Sequence, residues 1–183
     1  MMRSCLGSLL LFTGMLFSLH SLRAAEEFKL EEGFTLLFNG KDLTGWKTKS
    51  GESLEGLTES KEKRFKVKEG VLVYDEKVKG DIYIYTTKEL GKNVQIKFDF
   101  MPGTGCNNDL FLHGTKFDIK KEDVKNLKFG EWNTFEITAK DKKIEFKCNG
   151  EAIKTLNAKD EKSTFGLRAE FGPLQIKNLR AKE

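Results

Sequence analysis

The chain has 183 residues, of which 32 are Lys or Arg and 28 are Asp or Glu, and its formal net charge is +4. Because acidic residues lie among the basic ones throughout, the clustered positive charge of a nucleic-acid-binding surface is missing, and no nucleic-acid partner is expected. There are 15 Phe and only 2 Pro, a composition that favours many strands and few rigid loops.

The N-terminus has the pattern of an export signal. Arg3 precedes an apolar run over residues 6–19, and small residues at 21–25 lead directly into polar sequence. This pattern predicts a secretory signal peptide at residues 1–24, with cleavage after Ala24, and a single domain at 25–183. A retained anchor is the alternative. No second apolar stretch approaches membrane length, so after signal removal we expect no membrane span and a secreted or periplasmic protein.

Alternating apolar and polar residues predict one strand after another. Phe34, Leu36 and Phe38 alternate as in a strand with one buried face, and residues 94–101 show the same period most clearly. Further alternating runs lie at 65–68, 71–74, 81–86, 109–113, 116–120, 135–138, 144–148, 152–156, 165–171 and 174–181. Glu69-Gly70 and Asn149-Gly150 are predicted hairpin turns. The sequence therefore predicts an all-β, two-sheet antiparallel sandwich.

The remaining segments are less regular. Residues 48–63 are polar and predict a long surface loop, while 121–127 is the one segment that could form a helical turn. For Trp46 and Trp132 we favour core packing over stacking on sugars. Cys106 and Cys148 are the cysteines of the predicted mature chain, and the sequence leaves open whether they pair or remain free thiols.

Seven sequence strings in order resemble one bacterial family. The first is Gly33-Phe34-Thr35-Leu36-Leu37-Phe38-Asn39-Gly40-Lys41-Asp42-Leu43-Thr44-Gly45-Trp46-Lys47. The others lie at residues 65–73, 85–94, 103–114, 130–137, 149–151 and 172–180. Together they resemble the DUF1080 family, the 3-keto-disaccharide hydrolase domain. The resemblance implies a concanavalin- or laminin-G-like jelly roll, with a curved sheet that meets sugars, and cleavage of 3-keto-glycosides.

The sequence departs from the family pattern in the middle of the chain. A long insertion that usually carries a suspected catalytic carboxylate is missing, because Lys116 to Lys120 leads within a dozen residues to Gly130-Glu131-Trp132. Asp118 stands where the family has a glutamate, and His113 stands where it commonly has an arginine.

A cluster of polar side chains is predicted on one face of the sheet. Asp109, Phe111 and His113 alternate along one run, Asp118 lies on the next, and Arg168 and Glu170 alternate with apolar residues further on. For removal of the acidic C2 proton of a 3-keto sugar, we assign His113 or Asp118 as base and Glu170 as acid. Arg168 would be the electrostatic clamp. Asp109, Phe111 and Arg168 are the candidate substrate-binding residues.

Each of these assignments has a structural alternative. His113 could be an ordinary hydrogen-bonded histidine, Asp109 could satisfy backbone groups of the preceding turn, and Arg168 with Glu170 could be a surface ion pair. Tyr83 and Tyr85 are equally ambiguous between packing and binding. We assign no metal site and no cofactor, although Asp109, His113 and Asp118 could form a mixed oxygen and nitrogen site.

The sequence therefore supports two alternative functions. The first is an exported carbohydrate-active enzyme, a hydrolase or an eliminating lyase, that acts on 3-keto-glycosides or disaccharides. The second is a non-catalytic carbohydrate-binding or scaffold module on the same fold. In either case the expected partner is a carbohydrate or glycoside, and the sugar and its linkage stay undetermined.

Overall fold

A computed structural model describes residues 28–183 of the chain. The predicted signal peptide at residues 1–24 lies outside the described residues. Within the described part, no helix has the length and apolar character needed to cross a membrane.

The described residues form strand after strand, as the alternation predicts. The strands are β1 (Thr35–Leu36), β2 (Trp46–Thr48), β3 (Phe65–Lys68), β4 (Val71–Tyr74), β5 (Ile82–Leu90), β6 (Val94–Pro102), β7 (Asn107–Leu112), β8 (Thr115–Ile119), β9 (Asn133–Lys140), β10 (Lys143–Cys148), β11 (Glu151–Asn157), β12 (Ser163–Phe171) and β13 (Leu174–Lys182).

These strands build the predicted sandwich of two antiparallel sheets. An eight-stranded sheet has the order β11-β10-β9-β6-β13-β4-β3, with β1 paired to β13, and a five-stranded sheet has the order β2-β5-β12-β7-β8. Neighbouring strands in both sheets run antiparallel. The fold class predicted from the sequence is confirmed.

An aromatic cluster joins the two sheets. Phe135 on β9 has its ring centroid 5.2 Å from that of Phe98 and 5.5 Å from that of Phe117 on β8. Phe117 in turn stacks on Phe146 of β10 at 4.4 Å. All four side chains are at most 2% exposed. Because β8 belongs to the small sheet and the others to the large one, these contacts fix how the sheets face each other.

The hairpins form where they are predicted. Asn149 and Gly150 have φ of 50° and 81°, and Glu69 and Gly70 have 48° and 81°, the left-handed conformations that a tight two-residue turn between twisted strands requires.

Cys106 and Cys148 are both free and buried, which decides the question that the sequence left open.

Two local expectations need correction. Trp46 is fully buried as expected, but Trp132 is 38% exposed, with the Lys177 ammonium 4.1 Å from its ring centroid. Leu36 is 46% exposed, because β1 pairs at a sheet margin over only two residues. Two other expectations are confirmed. Residues 121–127 contain one helical turn, with a hydrogen bond from the Val124 N–H to the Lys120 carbonyl at 3.1 Å, and residues 49–63 form the predicted loop, while Thr48 belongs to β2.

Candidate functional site

The outer face of the five-stranded sheet carries a row of polar side chains, which we call the ionic row. Tyr83 on β5 is paired in register with Arg168 on β12, Arg168 with Asp109 on β7, and Asp109 with Asp118 on β8. Because side chains alternate across a strand and the intervening Leu167 and Leu110 are buried in the core, all four members of the row point away from the core.

The centre of the ionic row is a pair of carboxyl groups. Asp109 has no exposed surface, whereas the Asp118 side chain is 26% exposed. The Lys116 ammonium lies 2.5 Å from Asp118 Oδ1 and 3.6 Å from Asp109 Oδ1. On the other side, Arg168 Nε makes an ion pair with Asp109 Oδ2. Two basic groups thus enclose the acid pair, with Asp109 beneath and Asp118 at the surface.

The two carboxyl groups differ in acidity. Burial, with a further contribution from the neighbouring Asp118 carboxyl group, raises the pKa of Asp109 to about 7, although Arg168 opposes the rise. For Asp118 burial acts in the same direction, but its neighbours Asp109 and Lys116 outweigh it and lower its pKa. The pKa of Asp109 thus lies well above that of Asp118, so at a pH below neutrality the shared proton resides on Asp109 and the negative charge on Asp118.

Arg168 connects the acid pair to the rest of the face. Its Nη2 contacts Glu170 Oε2, and its Nη1 lies 3.3 Å from the Tyr83 hydroxyl and 3.4 Å from Asp81 Oδ2. The Arg168 side chain is 15% exposed and that of Glu170 is 18% exposed. Both are thus reachable from solvent, while their geometry is held by several partners.

A second row runs beside the ionic row, and we call it the aromatic row. Lys47 on β2 pairs with Tyr85, Tyr85 with Gly166, Gly166 with Phe111, and Phe111 with Lys116. The row therefore has aromatic side chains on either side of a glycine and a lysine at each end. It shares Lys116 with the surroundings of the acid pair.

The rings of this face are close and partly parallel. Tyr83 and Tyr85 have centroids 6.5 Å apart and planes inclined by only 4°. Phe111 lies 5.9 Å from the first ring and 6.3 Å from the second. A Cβ on Gly166 would lie 2.4 Å from Tyr85 Cε1 and 3.1 Å from Phe111 Cβ, so only glycine leaves room for the rings to meet over β12.

A cleft opens beside Tyr83 at the margin of this sheet. It has a volume of about 470 Å³ and is lined in part by Thr48, Lys49, Asp81 and Tyr83. The Lys49 ammonium lies 4.5 Å from the centroid of the Tyr83 ring. Polar groups, an aromatic face and a concavity therefore meet next to the ionic row, as small-molecule sites require.

The structure brings five of the six candidate residues together. Asp109, Asp118, Arg168 and Glu170 form one contact network, and Phe111 lies in the neighbouring row. Their placement on one outward face agrees with the expected alternation. Their chemical roles stay predictions.

His113 is placed elsewhere, which corrects the expectation that it shares the face of Asp109. It follows β7 in a turn with φ of 46°, and its side chain is 1% exposed. It lines a separate pocket with Asp141 and Asp160. Among residues 28–183, no three His, Cys, Asp or Glu side chains form a group able to hold a metal ion, so the mixed site of Asp109, His113 and Asp118 is not formed.

Sequence reasoning missed Lys116 and Gly166 and left Tyr83 and Tyr85 undecided. A signal for Lys116 was present, because it alternates with the buried Phe117 and therefore shares a face with Asp118. For Gly166 the sequence contains no signal of its own, since its role depends on which residues neighbouring strands place opposite it.

Comparison with protein families gives one match. The model of the 3-keto-alpha-glucoside-1,2-lyase-like domain matches residues 33–127, a segment that contains β1 to β8 with Asp109 and Asp118. Arg168 and Glu170 follow it on β12. A search of curated proteins finds no match to this chain.

Solved structures share the fold. A candidate glycosyl hydrolase from Parabacteroides distasonis has a TM-score of 0.68 at 22% identity, covering 84% of this chain and 97% of that one. The β-glucanase of Bacillus licheniformis has a TM-score of 0.53 at 10% identity, with 82% and 97% covered. The carbohydrate-binding module CBM66 of Bacillus subtilis has 0.51 at 12% identity, with 76% and 96% covered. At these identities the likeness concerns the fold, which is the concanavalin-like sandwich.

Proposed function

Because the chain belongs to the 3-keto-alpha-glucoside-1,2-lyase-like domain family, a family of carbohydrate-active β-sandwich proteins, we propose that it cleaves the glycosidic bond of 3-keto-glycosides. The reaction takes place on the outer face of the five-stranded sheet. The observation that carries the proposal is the Asp109–Asp118 pair, enclosed by Lys116 and Arg168.

The substrate determines which groups are needed. A ketone at C3 of a sugar makes the neighbouring C2 proton acidic, because the resulting negative charge is delocalised onto the ketone oxygen as an enolate. When the C1 substituent leaves, the C1–O bond breaks and a C1=C2 double bond forms, and water can add afterwards. The enzyme therefore needs a base, a positive group near the enolate oxygen and a proton for the leaving oxygen.

Asp118 is the base in this proposal. It is the exposed member of the acid pair, and its lowered pKa keeps it ionised. Asp109 lies beneath it without solvent contact, so it positions Asp118 rather than touching the sugar. Lys116 and Arg168 stand on the two sides of the pair and supply positive charge where the enolate oxygen develops.

In this proposal Glu170, in its protonated form, gives a proton to the leaving oxygen. It contacts Arg168 and is 18% exposed, so it lies on the same open face as Asp118. Asp118 takes one proton from C2, and Glu170 gives one proton to the leaving oxygen. The elimination therefore consumes no net proton. Transfer of a proton back from Asp118 to Glu170 restores the starting state.

The test is release of the aglycone from a 3-keto-glucoside by the purified protein, with and without divalent metal. Removing a positioned base typically lowers the rate by about 10²- to 10⁴-fold, so Asp118→Asn should lose turnover by that factor. His113→Asn is the matched control, because asparagine tolerates the left-handed conformation at that position, and it should keep wild-type turnover. Full activity of Asp118→Asn would contradict the proposal.

A carbohydrate-binding module without catalysis is the second candidate. The parallel rings of Tyr83 and Tyr85 favour it, since flat aromatic surfaces suit the apolar faces of sugars. The Bacillus subtilis protein that shares the fold is a carbohydrate-binding module, which is compatible with this function. Absence of turnover by the wild type, with glycan binding that survives Asp118→Asn, would favour this function.

The predicted signal peptide at residues 1–24 suggests where the protein acts. We propose that the protein acts in the periplasm or outside the cell after cleavage behind Ala24, since the first residues have the charge and apolar pattern of a secretory signal. Mass spectrometry of the protein purified from its native cells tests this, because the expected mature N-terminus is Ala25. A chain that retains Met1 in the cytoplasm would contradict it.

A further inference from the structure

We propose that the aromatic row is a subsite for a second pyranose ring, the leaving sugar of a disaccharide substrate. This inference rests on the proposed function and extends it, because it assigns a binding place to the part of the substrate that departs. The row consists of Lys47, Tyr85, Gly166, Phe111 and Lys116 in cross-strand register.

The first argument is the distance between the rows. Tyr83 and Tyr85 stand two residues apart on β5, as Asp109 and Phe111 do on β7. Two residues along a strand span roughly 6.6 Å, which is the scale of one sugar ring. A substrate whose oxidised ring lies over the ionic row therefore places its next ring over the aromatic row.

The second argument is the chemistry of the row. A pyranose has an apolar face of C–H groups and a rim of hydroxyl groups, so it needs an apolar contact surface with hydrogen-bonding groups at the edges. Tyr85 and Phe111 provide that surface, with centroids 6.3 Å apart and planes inclined by 47°. Lys47 and Lys116 stand at the two ends of the row, and the Tyr83 hydroxyl lies at its border with Arg168.

The third argument is Gly166. Gly166 lies between the two aromatic residues and has no side chain. A Cβ at this position would come within 2.4 Å of Tyr85 Cε1. The Tyr85 ring therefore lies across β12 instead of standing upright on β5. A larger residue would force the ring away and break the surface in two.

The polar ends of the row distinguish a sugar from an aromatic aglycone. A phenyl group would contact only the rings, whereas the hydroxyl rim of a pyranose would also accept a hydrogen bond from the lysine at the Lys47 end of the row. We therefore expect a preference for a glucosyl over a phenyl group at this subsite, in addition to a preference over a methyl group.

Binding tests the inference independently of catalysis. The probes are methyl α-glucoside, phenyl α-glucoside and an α-linked glucose disaccharide, none of them oxidised at C3, titrated calorimetrically into the purified full-length protein. The wild type should bind the disaccharide more tightly than either other probe. Tyr85→Ala should weaken disaccharide binding by about 2- to 10-fold, the range for one aromatic contact, and leave methyl α-glucoside unchanged.

Two further variants separate the ring from the fold. Tyr85→Phe keeps the ring and should bind the disaccharide as the wild type does. Gly166→Ala keeps Tyr85 but displaces it, so it should show the same loss as Tyr85→Ala. Thermal unfolding of each variant shows whether it is folded, and should Gly166→Ala fail to fold, the comparison of Tyr85→Ala with Tyr85→Phe decides alone.

The inference is overturned if the wild type binds the disaccharide no more tightly than methyl α-glucoside, or if phenyl α-glucoside binds best. It is also overturned if Tyr85→Ala and Tyr85→Phe bind the disaccharide equally. Failure of the proposed function has a different signature, since the wild type would then release no aglycone from any 3-keto-glucoside while these binding differences remained measurable.

Discussion

The buried carboxyl group of Asp109 should make the protein less stable as the pH rises towards neutrality. Burial raises its pKa from the ordinary value of 3.8 to about 7 in the folded protein. Between these two values the folded state holds a proton that the unfolded state has lost, so the free energy of unfolding falls with rising pH. The contribution is fully present below about pH 4 and is lost as the pH passes about 7.

The size of the effect follows from the same two values. Each pH unit in the interval corresponds to about 1.4 kcal/mol, so the interval from 3.8 to about 7 sets an upper limit of about 4 to 5 kcal/mol. Asp118 does not share this window, because its pKa is lowered and its contribution is complete once the pH exceeds its ordinary value. A loss of a few kcal/mol is large beside the usual stability of about 5 to 15 kcal/mol.

Urea unfolding at a series of pH values from about 4 to about 8 measures this loss. Asp109→Asn has nearly the same shape and cannot ionise, so the difference in stability between it and the wild type isolates the titration of Asp109. Asp141→Asn is the matched control, because Asp141 lies exposed in a hairpin turn with φ of 48°, where asparagine fits. Its stability should follow the wild type at every pH.

The opposite slope would refute the reasoning. If the ion pair with Arg168 outweighed burial, Asp109 would stay ionised and the wild type would gain stability over Asp109→Asn as the pH rises. A difference that does not change with pH would equally contradict a raised pKa for this group.

Three further outcomes test the packing. Phe135→Ala should destabilise the protein by about 3 to 5 kcal/mol in urea unfolding, because its buried ring contacts aromatic rings of both sheets. Tyr74→Phe should stabilise it by about 1 kcal/mol, since the hydroxyl of this buried tyrosine has no hydrogen-bond partner among residues 28–183. Cys106 and Cys148 should resist a thiol reagent until the protein unfolds, because burial raises the pKa of each to about 11; rapid labelling of the native protein would contradict this.

The fold could be predicted because its strands have one face in the core and one in solvent. In β6 this gives strict alternation from Val94 to Pro102, a pattern that only a half-buried strand produces. The errors lie where that condition fails. Leu36 belongs to a two-residue strand, and Trp132 precedes β9 and packs against Lys177 at the surface instead of entering the core.

The candidate site was partly predictable for a related reason. Alternation tells which residues of one strand share a face, and it placed Asp109 with Phe111 and Arg168 with Glu170 correctly on the outer face. It fails as soon as the strand ends. His113 continues the alternation of β7 in sequence, but its left-handed φ of 46° turns the chain, and the side chain is buried in another pocket.

The alternation of apolar and polar residues does not predict the register between strands. That register is determined by packing in the core. On β8, Phe117 packs inward on Phe146 at 4.4 Å, while Lys116 and Asp118 on either side of it point outward. A slip of one residue between β7 and β8 would turn Asp118 into the core and bring Phe117 out, which the loss of these aromatic contacts opposes. Asp118 therefore meets Asp109 in the register that keeps Phe117 packed against Phe146, and the geometry of the acid pair is set by apolar packing on the opposite face of the same strand.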